Sequence, residues 1–153
     1  MEAAFQVVRR GNLDFYRASA VTLDLAMVNE YGQSLLHEAV AFRQAEIALD
    51  LVLRGIDVNI VDYRRQSALH FLGFHQNAAI AERVLGAGGD VSARDTYGNT
   101  PLWYAVFNAR GNYDYVKLLL AHGADATSKN AAGRSPMDFA VQIGDEALMG
   151  LLR

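Results

Sequence analysis

Histidine, carboxylate and glycine-rich segments are the places where this chain could do chemistry. The four histidines, at 37, 70, 75 and 122, are the side chains best suited to proton transfer near neutral pH. As metal ligands they are poorly spaced: His70 and His75 are five residues apart and fall on different faces of a helix. His37 and His70 each follow a leucine, yet the matching positions further along hold Trp103 and Asp138, so no histidine is shared by all the copies. His122 precedes a turn glycine and is expected on the surface, and His75 has no structural duty legible in the sequence. Gly86-Ala87-Gly88-Gly89 has the composition of a phosphate loop. It runs into Asp90-Val91 instead of opening a helix after a strand, which argues against dinucleotide binding. No serine lies in a nucleophile elbow, and without cysteine neither a disulfide nor a thiolate metal site can form.

The spacing of ordinary residues says more than any of these. Leu36, Leu69, Leu102 and Met137 are separated by 33, 33 and 35 residues, and Asp24, Asp57, Asp90 and Asp125 by the same intervals. A period of this size marks a stack of small units, none able to bury a core alone. The third copy shows the design best. Thr100 is a helix N-cap and Pro101 takes the first helical position, where its missing N–H costs nothing. Leu102, Ala105 and Val106 follow at helical spacing. Ser135-Pro136 repeats this start, and Ser34 and Ser67 keep the cap without the proline. Gly111 in one unit and Gly144 in another predict where their first helices stop. A second helix, such as 49–53 or 116–120, leads into glycines at 55, 88 and 123 that suit a left-handed helix end. About ten residues rich in Asp, Gly and Asn then join one copy to the next, enough for a β-turn or short hairpin.

Composition agrees with a folded domain. The 153 residues are 52% hydrophobic and 20% charged, which excludes disorder as the default. A net charge of −3 supplies no long-range attraction for nucleic acid or an anionic membrane. Arg64-Arg65 and Arg9-Arg10 are isolated basic pairs and form no stripe. Residues 1–10 lack a basic start followed by an apolar stretch, and no run is long enough to cross a bilayer. A soluble, cytoplasmic protein is the expectation.

Taken together, the copies resemble the ankyrin repeat, whose pattern reads roughly D-x-x-G-x-T-P-L-H-x-A-A, a helix-turn-helix, then L-L-x-x-G-A-D. It appears here as Asn29 to Asp57, Asp62 to Asp90, Asp95 to Asp125, and from Asn130 onward, preceded by a half-matched unit from Phe5 to Asp24. The resemblance implies an all-α repeat solenoid of helix-turn-helix units joined by β-hairpin or turn loops. It divides a single domain, 1–153, into an N-terminal capping unit (1–28), central repeats (29–61, 62–94, 95–129) and a C-terminal capping repeat (130–153). It implies that His37 and His70 hydrogen-bond neighbouring turns through the Ser caps, and that the four periodic aspartates cap the turns before the hairpins. Arg65 departs from the pattern, standing where Gly32, Gly98 and Gly133 stand; at positive φ it would cost on the order of 1 kcal/mol. Residues 108–112 carry a two-residue insertion between helices.

For function the resemblance implies a non-enzymatic protein-binding module without metal or cofactor, a monomer when free, holding a protein partner through its concave face and hairpin tips. A bacterial immunity protein that occludes the active site of a cytosol-acting toxin is one such role; an adaptor or secreted effector bridging other proteins is the alternative. The tip positions supply Tyr31, Tyr63, Arg64, Arg65 and Tyr97. The first helices and the turns after them supply Phe71, Phe74, His75, Tyr104, Phe107 and Arg110. Tyr and Arg are enriched at binding hot spots because they bury much area or form directed hydrogen bonds. Packing against neighbouring units is the competing explanation for the aromatics on the helices, Phe71 and Phe139 above all.

Overall fold

The computed structural model describes residues 2–153. Helices α1 (Glu2–Arg10) and α2 (Leu13–Ser19) are followed by a 3-10 turn, Ala20–Thr22. The pairs α3 (Leu35–Ala41) and α4 (Ala45–Leu53), α5 (Ala68–Leu72) and α6 (Ala78–Gly86), and α7 (Pro101–Phe107) and α8 (Asp114–Ala121) come next. The last pair is α9 (Pro136–Ile143) and α10 (Glu146–Leu152). First helices pack on first helices in the order α1, α3, α5, α7, α9, and α4, α6 and α8 form a second row behind them.

None of these helices is long enough to persist alone in water, so caps and neighbours must define them. Ser34 accepts from the His37 N–H while its own N–H donates to His37 Nδ1, and Ser67 N–H donates to His70 Nδ1 in the same way. In the last pair Asp138 takes the histidine's place: Ser135 accepts from its N–H, and its carboxylate accepts from Ser135 N–H. Asn77 and Asp145 cap α6 and α10 by accepting from Ile80 and Leu148. The second helices end as the sequence predicts: Gly55, Gly88 and Gly123 have φ of 85°, 92° and 87°. The residue after each donates back to a carbonyl five positions upstream, Leu51, Val84 or Leu119. The carboxylates of Asp24, Asp57, Asp90 and Asp125 each accept from the N–H two residues on, which accounts for the acidic series.

Of the β-turn or short hairpin expected between copies, the joining segments take the turn: among the described residues there is no β-strand, only an isolated bridge between Val28 and Ser34. Successive tips instead share one backbone hydrogen bond each, from Tyr63 N to Tyr31 O, Thr96 N to Arg64 O, and Ala131 N to Tyr97 O. Helix α7 stops at Phe107, not near Gly111, because the insertion folds into a turn in which both Arg110 and Gly111 are left-handed. Arg65 does adopt positive φ, at 60°.

Apolar side chains at the repeat period join the units. Leu36, Leu69 and Leu102 are buried, as are Ala39, Ala105 and Ala140, whose small size lets first helices approach closely. Polar bridges run beside them. Because His37 Nδ1 accepts from Ser34 N–H, its Nε2 carries the proton and donates to the Gln66 carbonyl, 2.9 Å away in the next unit. His70 repeats this toward Asn99 O at 3.0 Å. Burial, more than any neighbour, holds both imidazoles below the usual histidine range.

Replacing His70 by Ala strands the Asn99 carbonyl and should cost about 2–3 kcal/mol in urea unfolding. The pH dependence follows from the same neutrality. The unfolded chain binds protons near the ordinary value, about 6.5, whereas the folded one resists them, so stability is full above that value and declines below it. Each of the two histidines should contribute a slope of up to about 1.4 kcal/mol per pH unit, seen as urea midpoints that fall on acidification and flatten in a His37→Gln/His70→Gln variant.

Candidate functional site

The turns that link the units stand out from the first-helix row, and the angle between them forms a groove of about 520 Å³. Tyr31, Tyr63 and Arg64 contribute from the tips, Glu38 and Phe71 from the helices, Phe42 from the end of α3, and Arg9 from α1. The tips stack closely enough that a Cβ on Gly32 would sit 2.8 Å from the Tyr63 ring, and one on Gly98 would sit 2.9 Å from the Ala131 nitrogen. Asp62 and Asp95 hold these turns in shape. Each is buried and uses one carboxylate oxygen to accept from two N–H groups of its own turn.

The residues singled out from sequence divide into two groups. Tyr31, Tyr63 and Tyr97 are 57%, 75% and 60% exposed, too open to serve the core, and Arg64 and Arg65 are exposed beside them. Phe74 and Phe107 are about half exposed and, with Phe42, make a stripe of one phenylalanine per unit. Phe71 and Tyr104 are half-buried and make contacts within the fold. Phe71 meets the His37 ring edge-on at 4.8 Å, and the Tyr104 hydroxyl donates to the Asp95 carboxylate. Burial first, then Asp95, pushes the Tyr104 hydroxyl up to about 12. His75 stands apart, in a recess of about 230 Å³ with Val40, Arg43 and Ile80, and its Nδ1 is buried without a partner. Burial and then the Arg43 charge keep its imidazole below the usual range. Arg110 is exposed on the turn after α7.

Sequence reasoning missed the ion pair beneath the groove. Glu38, only 3% exposed, accepts from Arg9 Nε at 2.9 Å and Nη2 at 2.8 Å, and from Asn29 at 2.8 Å. The signal was a glutamate in a row otherwise filled by Phe71, Tyr104 and Phe139, since a buried carboxylate demands a cation. Two further arginine–ring contacts were also unforeseen, Arg9 over Phe42 at 5.8 Å and Arg134 over Trp103 at 5.9 Å.

A family model described as "Ankyrin repeats (3 copies)" matches residues 36–130 and 69–152. The chain is an ankyrin-repeat protein. An ankyrin repeat-containing protein of Treponema pallidum (strain Nichols) is 31% identical over 147 residues, covering 95% of this chain and 49% of that one. An ankyrin repeat protein of Rickettsia bellii (strain RML369-C) is 36% identical over 64 residues, 42% of this chain and 37% of that one. Ankyrin repeat domain-containing protein 13C of Homo sapiens is 41% identical over 63 residues, 41% of this chain and 11% of that one. The chain thus spans about half or less of the length of these curated relatives. Ankyrin repeats are protein–protein interaction modules, and no catalytic family is indicated. Among the described residues no helix is long and apolar enough to cross a membrane.

The division between exposed and structural aromatics is measurable. Tyr63→Ala and Tyr97→Ala should each shift unfolding free energy by less than about 0.5 kcal/mol. Tyr104→Phe, which takes a donor from buried Asp95, should cost about 1–2 kcal/mol in the same assay.

Proposed function

We propose that this chain is a non-enzymatic binding module that holds a protein partner in the groove between its turn tips and first-helix row. The observation that carries the reading is the set of half- to three-quarters-exposed aromatics, Tyr31, Tyr63 and Tyr97 on the tips and Phe42, Phe74 and Phe107 at or just past the ends of the first helices. Phe74 and Phe107 each rest one face on a neighbouring ring, Tyr104 at 4.8 Å and Phe139 at 5.1 Å, yet half of each stays exposed, and such rings bury large areas at low entropic cost on binding. In this reading Tyr31, Tyr63, Arg64, Arg65, Phe74, Tyr97, Phe107 and Arg110 meet the partner directly. Phe71, His75 and Tyr104 shape the floor and flank beneath them.

Within that function the role we favour is inhibition: one partner, a toxin acting in the cytosol, whose active site the groove covers. This reading sets the chain in the cytosol, beside its target. The adaptor reading has its own support in a second concavity of about 890 Å³ behind the stack. There Leu13, Leu49 and Val52 lie beside Leu53, which is 83% exposed.

Co-expression with neighbouring gene products separates the two roles. Inhibition predicts that one neighbour is toxic alone and harmless with this chain, and that Tyr63→Ala/Tyr97→Ala weakens rescue without lowering the melting temperature. Growth that no neighbour impairs, together with partners lost only on Leu53→Asp, would support the adaptor instead.

A further inference from the structure

Unpaired charge is not spread evenly over the two sides of the stack. Arg64 lines the groove and Arg65 stands beside it on the same tip, Arg134 lies over Trp103, and Arg43 and Arg110 occupy the turns after α3 and α7, Arg43 beside the His75 recess. Among the described residues the ion pairs join Arg9 to Glu2 and Glu38, Arg17 to Glu46, Arg54 to Asp50, and Lys129 to Asp138. None of Arg43, Arg64, Arg65, Arg110 and Arg134 is in that set. The carboxylates on the same side are largely consumed: Glu38 by Arg9, Asp138 by Lys129, and Asp62 and Asp95 by their own turns. Glu30 alone stays open on the tips. Exposed carboxylates without an ion pair stand elsewhere, on Glu82, Asp114 and Glu146 of the second helices, beside Arg83 and Lys117, and on Asp24, Asp57, Asp90 and Asp125.

Backbone conformation adds an independent sign. Arg43, Arg65 and Arg110 are the non-glycine residues with positive φ among those described, at 58°, 60° and 47°. Glycine fits that region without strain, and asparagine tolerates it; the chain keeps arginine in all three places. Their side chains make no hydrogen bond within the described residues, so the fold gains nothing from the guanidinium groups.

We propose that the occupant of the groove is an extended acidic segment of a partner protein, which rests on the docking reading above and names the chemistry of its partner. Its carboxylates would meet Arg64, Arg65, Arg110 and Arg134, whose planar forks suit bidentate pairing. Its apolar side chains would lie on the Phe42, Phe74 and Phe107 stripe. First helices pack about 8–10 Å apart, and an extended chain rises about 3.3 Å per residue, so anchors recur about every third residue. A nucleic acid is disfavoured: the surface between the cations is apolar, and the chain's net charge of −3 supplies no long-range attraction for a polyanion.

The test is selection of peptides of about 16 residues from a random displayed library on the immobilised chain, with a single-stranded oligothymidine as a second probe. The proposal expects selected peptides to be clearly acidic, with apolar residues about three apart, and to compete with one another. Their affinity should fall about tenfold or more in Arg64→Glu/Arg65→Glu/Arg110→Glu and weaken steadily with salt. Circular dichroism melts confirm that the variants are folded. Neutral or basic peptides that still lose binding in Tyr63→Ala/Tyr97→Ala would overturn the acidic partner and leave the groove as a docking site. Peptides indifferent to both variants, or no enrichment at all, would count against both. Oligothymidine binding more tightly than the best peptide would overturn the proposal outright.

Discussion

Each helix pair in this chain presents an apolar side and a set of backbone carbonyls that only the next pair can cover. That incompleteness is the constraint from which the rest follows. Leucine at 36, 69 and 102 closes the apolar side, and the Nε2–H groups of His37 and His70 close the Gln66 and Asn99 carbonyls. A dry interior makes both demands strict, since an unmet carbonyl there costs as much as the bond it lacks. Stability is therefore a nearest-neighbour quantity, shared along the row instead of concentrated in one centre.

The same constraint leaves one side of the stack free. Turns that need only one hydrogen bond to the next turn can carry any side chain outward, and Tyr31, Tyr63, Arg64 and Tyr97 are carried there. The floor below is fixed more tightly. Asp95 and Tyr104 lock each other, and Glu38 is held between Arg9 and Asn29, so the groove is shaped before anything enters it. Preorganisation of this kind lowers the ordering cost of association, which is where affinity in a modest interface is won or lost.

Most of the fold was legible because its signals are local and repeated. The period, the Ser and Thr caps, Pro101 and Pro136, the glycines at 55, 88 and 123, and the positive φ of Arg65 all follow from short-range rules. What escaped depends on distance in sequence or on the balance of burial. The Arg9–Glu38 pair spans 29 residues, and no local rule predicts the partner of a glutamate in an aromatic row. Phe71 and Tyr104 share their repeat position, yet Phe71 meets His37 of the preceding unit while Tyr104 turns to Asp95 of its own. The early end of α7 escaped for another reason: two extra residues could have lengthened the helix or the turn, and Arg110 with Gly111 chose the turn.

Which face meets the partner is the point on which the account stands. A photo-crosslinking amino acid, benzoylphenylalanine, placed singly at Tyr63 and at Leu53 in cells of the source organism, reads that face directly. The account predicts a discrete covalent adduct from the Tyr63 position, lost when Arg64 and Arg65 are reversed in charge, and none from Leu53. An adduct from Leu53 alone would contradict it, because contact would then be made by the second helices and not by the groove.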